Sequence, residues 1–354
     1  MRLTDSRGIW TRVLSRRGGA LAICRLLLTP AGFLYGLAAR ARRRAYRIGI
    51  LQARSLDAPV ISVGNLTVGG TGKTPMVLHI ARWCAQNGRK PAILSRGYAA
   101  RNAGLRGNRN DEALLLERVS PKIPHYAGPD RVATGRAAIA DGADCLVLDD
   151  GFQHLRIRRD LNLVLVDAQD PLGGGRVLPA GALRESPSSL RDADAIILTR
   201  ADAVGRAALE TVRRQVRACV REKPIFEAVH RPVGLTLAIG TAAAPAQWLA
   251  GRRVFLFCGI GNPEGFLRTV AQLGAEIAAA RFLPDHFAYR KSDVAALAEA
   301  CVSERADCAV TTEKDAVKLG AWPKTVPLRV LKVEIEFTAD QAQFEDLLRS
   351  ALSR

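Results

Sequence analysis

The sequence predicts an α/β fold: a parallel sheet interleaved with helices, a smaller α/β unit after it, and a basic, apolar helical segment in front. Three observations predict it. Short apolar runs such as Val60–Val63, Leu161–Asp167 and Ala193–Thr199 alternate with stretches of helical period. Glycine and proline mark the joints between them. The length, 354 residues, is enough for two cores. The expected organisation is 1–54 as a membrane-associated segment, 55–235 as the larger domain and 236–354 as the smaller one after a hinge.

Composition narrows the class. At 48% hydrophobic and 24% charged, with no low-complexity tract, the chain has the makings of a folded protein. Its seven cysteines are scattered and none forms a Cys-x-x-Cys pair. That argues against a disulfide scaffold or a thiolate metal site and for reduced thiols in a cytoplasmic compartment. The net charge is +18, and residues 1–54 hold twelve arginines against one acid. Such a balance calls for an anionic partner. Aromatic content is only 5%, with no stacking platform for bases. An anionic membrane surface is therefore expected, and nucleic acid is not.

Residues 18–39 are apolar except for Arg25, with Arg16 and Arg17 before them and Arg40, Arg42, Arg43, Arg44 and Arg47 after. The run reaches the roughly 20 residues of a membrane span only by tolerating Arg25 and Pro30. Arginines at both ends do not fit one clean orientation, and no small-residue cleavage site follows. A helix lying on the membrane with its arginines on headgroups is expected. The alternative is an amphipathic helix packed on the protein's own core.

Pro59–Pro75, PVISVGNLTVGGTGKTP, reads as a buried strand running into a glycine-rich turn and a helix that opens at Pro75. This is the pattern of a phosphate-binding P-loop with Thr67 where the strict form has glycine. Backbone N–H groups of Gly69, Gly70, Thr71 and Gly72 converge on phosphate oxygens, and the helix N-terminus adds its dipole. Lys73 reaches the β/γ-phosphates and the Thr74 hydroxyl ligates Mg²⁺. The first domain is thus P-loop NTPase-like.

Further along, Met76–Asn87 has helical period, and Pro91–Ser95 is a strand ending in Arg96-Gly97-Tyr98. Asp111-Glu112 starts a helix through Glu117, and Asp130–Ala140 reads as another. Asp144–Gly151 is a buried strand ending in the paired carboxylates Asp149 and Asp150, the Walker B pattern for holding Mg²⁺. Phe152-Gln153-His154 follows at the same sheet edge. After strands 161–167 and 193–199, with the Gly/Pro-rich loop Pro171–Ser189 between them, comes Thr199-Arg200-Ala201-Asp202. It matches the guanine-reading Asn-Lys-x-Asp loop of GTPases only weakly.

A helix at Ala207–Glu222 and a strand at Ile225–Arg231 precede Pro- and Ala-rich sequence to Leu249, read as a hinge. The second unit follows: strand Val254–Phe257, Gly259-Ile260-Gly261-Asn262, and helix Glu264–Leu273. Asp285-His286 stands on a loop before helix Lys291–Cys301. Thr312-Glu313-Lys314-Asp315 ends strand Cys308–Thr311. Strand Leu328–Val333 and helix Ala339–Leu352 close the chain. His286, on a loop opposite the P-loop and paired with Asp285, is a candidate for closing over substrate.

The ordered set Gly64-Asn65 through Pro75, Ser95–Tyr98, Asp111-Glu112, Asp149–His154, Leu178–Gly181, Phe282–Tyr289 and Thr312–Asp315 resembles the tetraacyldisaccharide 4′-kinases, the lipid A 4′-kinases of Gram-negative bacteria. The resemblance spans essentially the whole chain. It implies two α/β domains with nucleotide in the cleft, working at the cytoplasmic face of the inner membrane. It implies transfer of the γ-phosphoryl of ATP, with Mg²⁺, to the 4′-hydroxyl of an acylated disaccharide 1-phosphate, giving lipid IV-A. On this footing Lys73 and Thr74 bind phosphate and Mg²⁺, while Asp111 is the general base and His286 its partner. Glu112, Asp149 and Asp150 form the metal-side cluster. Asn65, Arg96, Arg131, Gln153 and His154 face the disaccharide and its phosphate. One departure is Asn110 where that family usually has glycine; asparagine also adopts left-handed angles. No obligate protein partner is implied. The rival reading is a membrane-recruited P-loop GTPase, resting on Thr199–Asp202.

Overall fold

Apolar, β-branched runs flanked by glycines become the strands of one mixed sheet in the computed structural model, which describes residues 19–97, 111–220, 222–238 and 241–353. In spatial order the strands are β10 (Glu276–Phe282), β9 (Arg253–Cys258), β11 (Cys308–Thr312), β12 (Leu328–Phe337), β7 (Ile225–Ala238), β6 (Ala195–Thr199), β5 (Leu161–Asp167), β1 (Val60–Asn65), β4 (Cys145–Asp149), β2 (Pro91–Ser95) and β3 (His125–Ala127). β8 (Thr241–Ala244) folds back on β7. Neighbours are parallel except where β7 meets β12 and β8. Strands β1, β4, β6 and β2 are buried throughout, as expected of a parallel sheet covered on both faces.

The sheet explains where a ligand can go. β1 lies between β4 and β5, and the chain leaves β1 toward one side of the sheet and β4 toward the other. That reversal opens a crevice at the strands' carboxyl ends, the usual ligand position in open α/β sheets. Helix α2 (Lys73–Gln86) starts in this crevice and buries Met76, Val77, Ile80, Ala81 and Cys84 against the sheet.

The joint between the two halves of the sheet differs from the sequence expectation. The strand expected to stop at Arg231 continues as β7 through Pro232 to Ala238, and pairs with β12 from Ala228↔Phe337 to Thr236↔Val330. A register shift at Val333/Pro232 accommodates the proline, which has no N–H for the ladder. The last helix, α9 (Gln341–Leu352), packs back on the first half of the sheet. Its Phe344 and Leu348 are fully buried beside Phe226, Phe337 and α2, and Phe344 meets Phe226 edge to face at 5.4 Å.

Helix α1 (Gly19–Arg47) is continuous through Pro30. One stripe at i, i+4 spacing is packed: a Cβ on Gly32 would press on the Val177 carbonyl and Ala180, Arg40 donates to the Ser186 hydroxyl, and Arg43 is buried between Glu185 and Asp192. The other face leaves Leu27, Phe33, Leu34 and Leu37 at least half exposed. The helix thus both docks on the protein and presents an apolar face. Among the described residues no helix is long and apolar enough to cross a membrane.

Candidate active site

The end of β1 and the turn after it each need a glycine, for different physical reasons. At Gly64 a Cβ would sit 2.5 Å from that of Phe152, so β1 and the segment after β4 approach more closely than any side chain permits. Gly72 caps α2 with φ 86°, and a Cβ there would strike the His230 ring. The end of β6 braces the same turn: the Thr199 hydroxyl donates to the Thr71 carbonyl at 3.0 Å, and Arg200 bridges the Gly70 carbonyl to Asp167. Thr199-Arg200 therefore shapes the glycine-rich loop. Burial lowers His230 to about 4, with Arg200 adding to the effect, so the ring packed on Gly72 is neutral.

At the head of α2, Lys73 Nζ donates to Asn65 Oδ1 at 3.2 Å and lies 3.6 Å from Asp150 Oδ1. Asp150 stands one residue past β4 with φ 50°. Arg184 donates to both its carboxylate oxygens at 2.8 Å, and Arg131 to its carbonyl at 3.1 Å. Gln153 Nε2 donates to the Asn65 carbonyl at 2.9 Å. Burial alone would raise the Asp150 carboxyl; Lys73, Arg184 and Arg131 outweigh it and hold it below its ordinary value. The result is a chain of charge, Arg184–Asp150–Lys73, that aims the ammonium at the mouth of the glycine-rich turn.

Gly69–Pro75, Arg96, Arg131, Asp149, Asp150, Gln153, His154 and His286 all line one cavity of about 1770 Å³. Asn65 does not. It is fully buried beneath Lys73 and orients that side chain. The backbone of Asp111 starts helix α3 (Asp111–Val119), whose Leu115 and Val119 reach the same cavity. The side chains of Asp111 and Glu112 lie outside the described residues, as do Tyr98 and Asn110. His154 sits among Arg42, Arg131, Arg156 and Arg159; burial first, then these cations, lower it to about 4.

The second half of the sheet supplies the opposite wall. The loop after β9 brings Gly261 so close to Gly70 that a Cβ on Gly261 would lie 2.8 Å from the Gly70 amide nitrogen. Asp285 and His286 follow β10, and Lys314 Nζ donates to Asp285 Oδ1 at 2.8 Å. Burial would raise Asp285, but Lys314 and then the His286 N–H outweigh it and hold it low. Sequence reasoning did not single out Arg184, Arg200 or His230 as site residues, and for Lys314 it left a functional role and a strand-to-helix cap equally open. For Arg184 the only available signal was its place beside Glu185 after Leu178–Gly181; the others depend on contacts more than a hundred residues apart or on a loop whose direction no local pattern sets.

Comparison with known proteins identifies the family. The family model described as LpxK, tetraacyldisaccharide-1-P 4′-kinase, matches residues 24–353. The tetraacyldisaccharide 4′-kinase of Anaeromyxobacter dehalogenans strain 2CP-C is 40% identical over 99% of this chain and 95% of its own length. That of Syntrophus aciditrophicus is 40% identical over 91% of this chain and 92% of its own. A crystal structure of LpxK from Aquifex aeolicus in complex with ATP superposes with a TM-score of 0.73 at 27% identity, covering 93% of this chain and 99% of that one. A glycine-rich turn braced by β6, a lysine set by Asn65 and Asp150, and full-length similarity to these enzymes lead to one conclusion: the chain belongs to the tetraacyldisaccharide-1-P 4′-kinase family.

Proposed function

We propose that this protein transfers the γ-phosphoryl group of ATP to the 4′-hydroxyl of a tetraacylated glucosamine disaccharide 1-phosphate, giving lipid IV-A. The observation that carries the reading is the placement of Lys73. Its ammonium is held by Asn65 and by the Arg184-braced Asp150 at the entrance of a glycine-rich turn. Phosphoryl transfer asks a protein for positioning and charge neutralisation, which Lys73 and the turn's N–H groups supply to the β/γ-phosphates. Asp111 takes the 4′-hydroxyl proton as the new O–P bond forms, and ADP leaves with the bridging oxygen. His286 orients that base. Arg96, Arg131, Gln153 and a neutral His154 face the sugar and its 1-phosphate, where the surrounding arginines compensate the anion.

The available donors fit a shared Mg²⁺. The Thr74 hydroxyl and the carboxylates of Asp149 and Asp150 are hard oxygen ligands, with Glu112 the remaining candidate. Among the described residues no three acidic, histidine or cysteine side chains close on one point. Mg²⁺ in nucleotide sites is commonly held by one or two carboxylates together with nucleotide phosphates. Bound there, Mg²⁺ supplies charge neutralisation to the transferring group. The apolar face of α1, flanked by arginines, supports a seat on the anionic cytoplasmic face of the inner membrane, where an acylated substrate would reside.

The test is transfer of ³²P from [γ-³²P]ATP to tetraacyldisaccharide 1-phosphate in detergent micelles. Lys73→Ala and Asp111→Ala are each expected to lower it by at least about 100-fold, with nucleotide binding kept only by Asp111→Ala. Folded wild type that binds ATP yet forms no phosphorylated lipid would sink the reading and favour a GTPase.

A further inference from the structure

The strand end Thr312-Glu313-Lys314-Asp315 holds the loop that carries His286 by contacts which fix more than its position. Asp315 is fully buried. It accepts from the Gly259 N–H at 3.0 Å, the Tyr289 hydroxyl at 2.9 Å and the Thr312 hydroxyl at 2.7 Å. One carboxylate thereby ties the loop after β9, the segment after His286 and its own turn together. Lys314 projects from this pinned turn. Its ammonium donates to Asp285 Oδ1 at 2.8 Å and lies 3.4 Å from Nε2 of the His286 ring.

We propose that Lys314 is the positioning residue for His286, holding the neutral ring in its Nδ1–H tautomer and its backbone in the left-handed turn. An ammonium has donors and no lone pair, so the ring nitrogen it meets must accept. Nε2 is that nitrogen, and the ring hydrogen is therefore on Nδ1. Asp285 Oδ2, which could favour the opposite arrangement, is 3.8 Å from Nε2, too far for a hydrogen bond. The backbone is set by the same lysine. Asp285 Oδ1, anchored by Lys314, also accepts from the His286 N–H at 3.1 Å, where φ is 62°. A non-glycine residue holds that angle only when its surroundings determine it.

The tautomer has a chemical consequence. Any acceptor that meets Nδ1 meets a donor, and a carboxylate base is such an acceptor. With the hydrogen on Nε2, the same carboxylate would face a lone pair. The use of His286 to orient the base rests on the kinase reading; the tautomer does not, so the two fail separately.

The experiment is a long-range ¹H–¹⁵N correlation spectrum of the full chain labelled at its five histidines, at a pH where the ring is neutral, with His286→Gln to assign the signals. The Nδ1–H pattern is expected for His286 in wild type and the Nε2–H pattern in Lys314→Met. In lipid phosphorylation, Lys314→Met is expected to lower kcat about 10–100-fold while KM for ATP stays within about twofold. Added to His286→Gln, it should cost nothing further. An Nε2–H ring in wild type overturns the proposal without any variant. So does an unchanged tautomer in Lys314→Met, or a full additional loss in the double variant. A wild-type Nδ1–H ring in a protein that phosphorylates no lipid would sink only the kinase reading.

Discussion

Asp150 gathers Lys73, Arg131 and Arg184 around it. Its φ of 50° costs free energy in a non-glycine residue, on the order of 1–3 kcal/mol. It is held there by Arg131 on its carbonyl and Arg184 on its carboxylate. Without Arg184, Asp150 would be left to pull on Lys73 alone, drawing the ammonium away from the phosphate position. Arg184→Met is therefore expected to weaken ATP binding and lower kcat/KM by about 30-fold, the factor that about 2 kcal/mol gives for a broken charge pair. Calorimetric titration of ATP checks the first part and lipid phosphorylation the second; wild-type values for both would remove Arg184 from the site. At this scale the sequence was informative wherever chemistry follows from local spacing. Glycines, Lys73, Thr74 and the Asp149-Asp150 pair could be picked out because each motif lies on one strand end and its loop. Arg184 and His230 could not, since their roles exist only where distant segments meet. Asn65 was visible as a motif residue, yet its burial beneath Lys73 was not.

Among the elements, α1 packs on the protein as one of the two sequence alternatives requires, and its other face stays exposed and apolar. Its packed stripe is fixed by Arg43, whose guanidinium meets Glu185 and Asp192 and lies 4.5 Å from the centre of the Phe152 ring. Phe152 belongs to the segment that carries Gln153 and His154, and Arg42 donates to the Gln153 carbonyl. The helix is thus part of the site's outer wall. Its exposed face is free to enter a bilayer interface without disturbing that contact. Phe33→Gln with Leu34→Gln is expected to weaken binding to vesicles containing anionic lipid by at least about tenfold, from roughly 0.8 kcal/mol per buried CH₂. Phosphorylation of a short-chain, micelle-free substrate should stay near wild type. Co-sedimentation and the kinase assay report the two effects, and unchanged vesicle binding would locate the membrane contact elsewhere. Periodicity located most helices and buried strands of the described chain. It missed β3, β8 and β10: β3 is only three residues long, β8 lies in the Pro- and Ala-rich stretch read as a hinge, and β10 is largely solvent-facing, with an alanine-rich stretch and a charged end.

For the molecule as a whole, β7 and β12 join the two halves of the sheet, and an ionic cluster beside that junction carries its own pH dependence. Arg82 on α2 pairs with Glu334 on β12 at 3.1 Å and also donates to the Val119 carbonyl at the end of α3. Glu313 lies against this cluster. Burial pushes its carboxyl up to about 7; Lys332 and Arg82 oppose the rise and Glu334 adds to it. For an acid whose folded pKa stands above its unfolded value of 4.5, the favourable contribution is complete below about pH 4.5. It is lost as pH rises through 7, because the folded chain must then hold a buried carboxylate. Glu313→Gln removes that charge with little change of shape. It should raise the Tm at pH 8, by the equivalent of about 1–3 kcal/mol given roughly 1.4 kcal/mol per pKa unit. The gain should shrink between pH 7 and pH 4.5 and vanish below that window. Calorimetry of both proteins across this range decides the matter: a gain of equal size at pH 4 and pH 8 would mean that Glu313 acts through packing, and a loss at pH 8 would mean that its ion pairs with Lys332 and Arg82 outweigh the cost of burial.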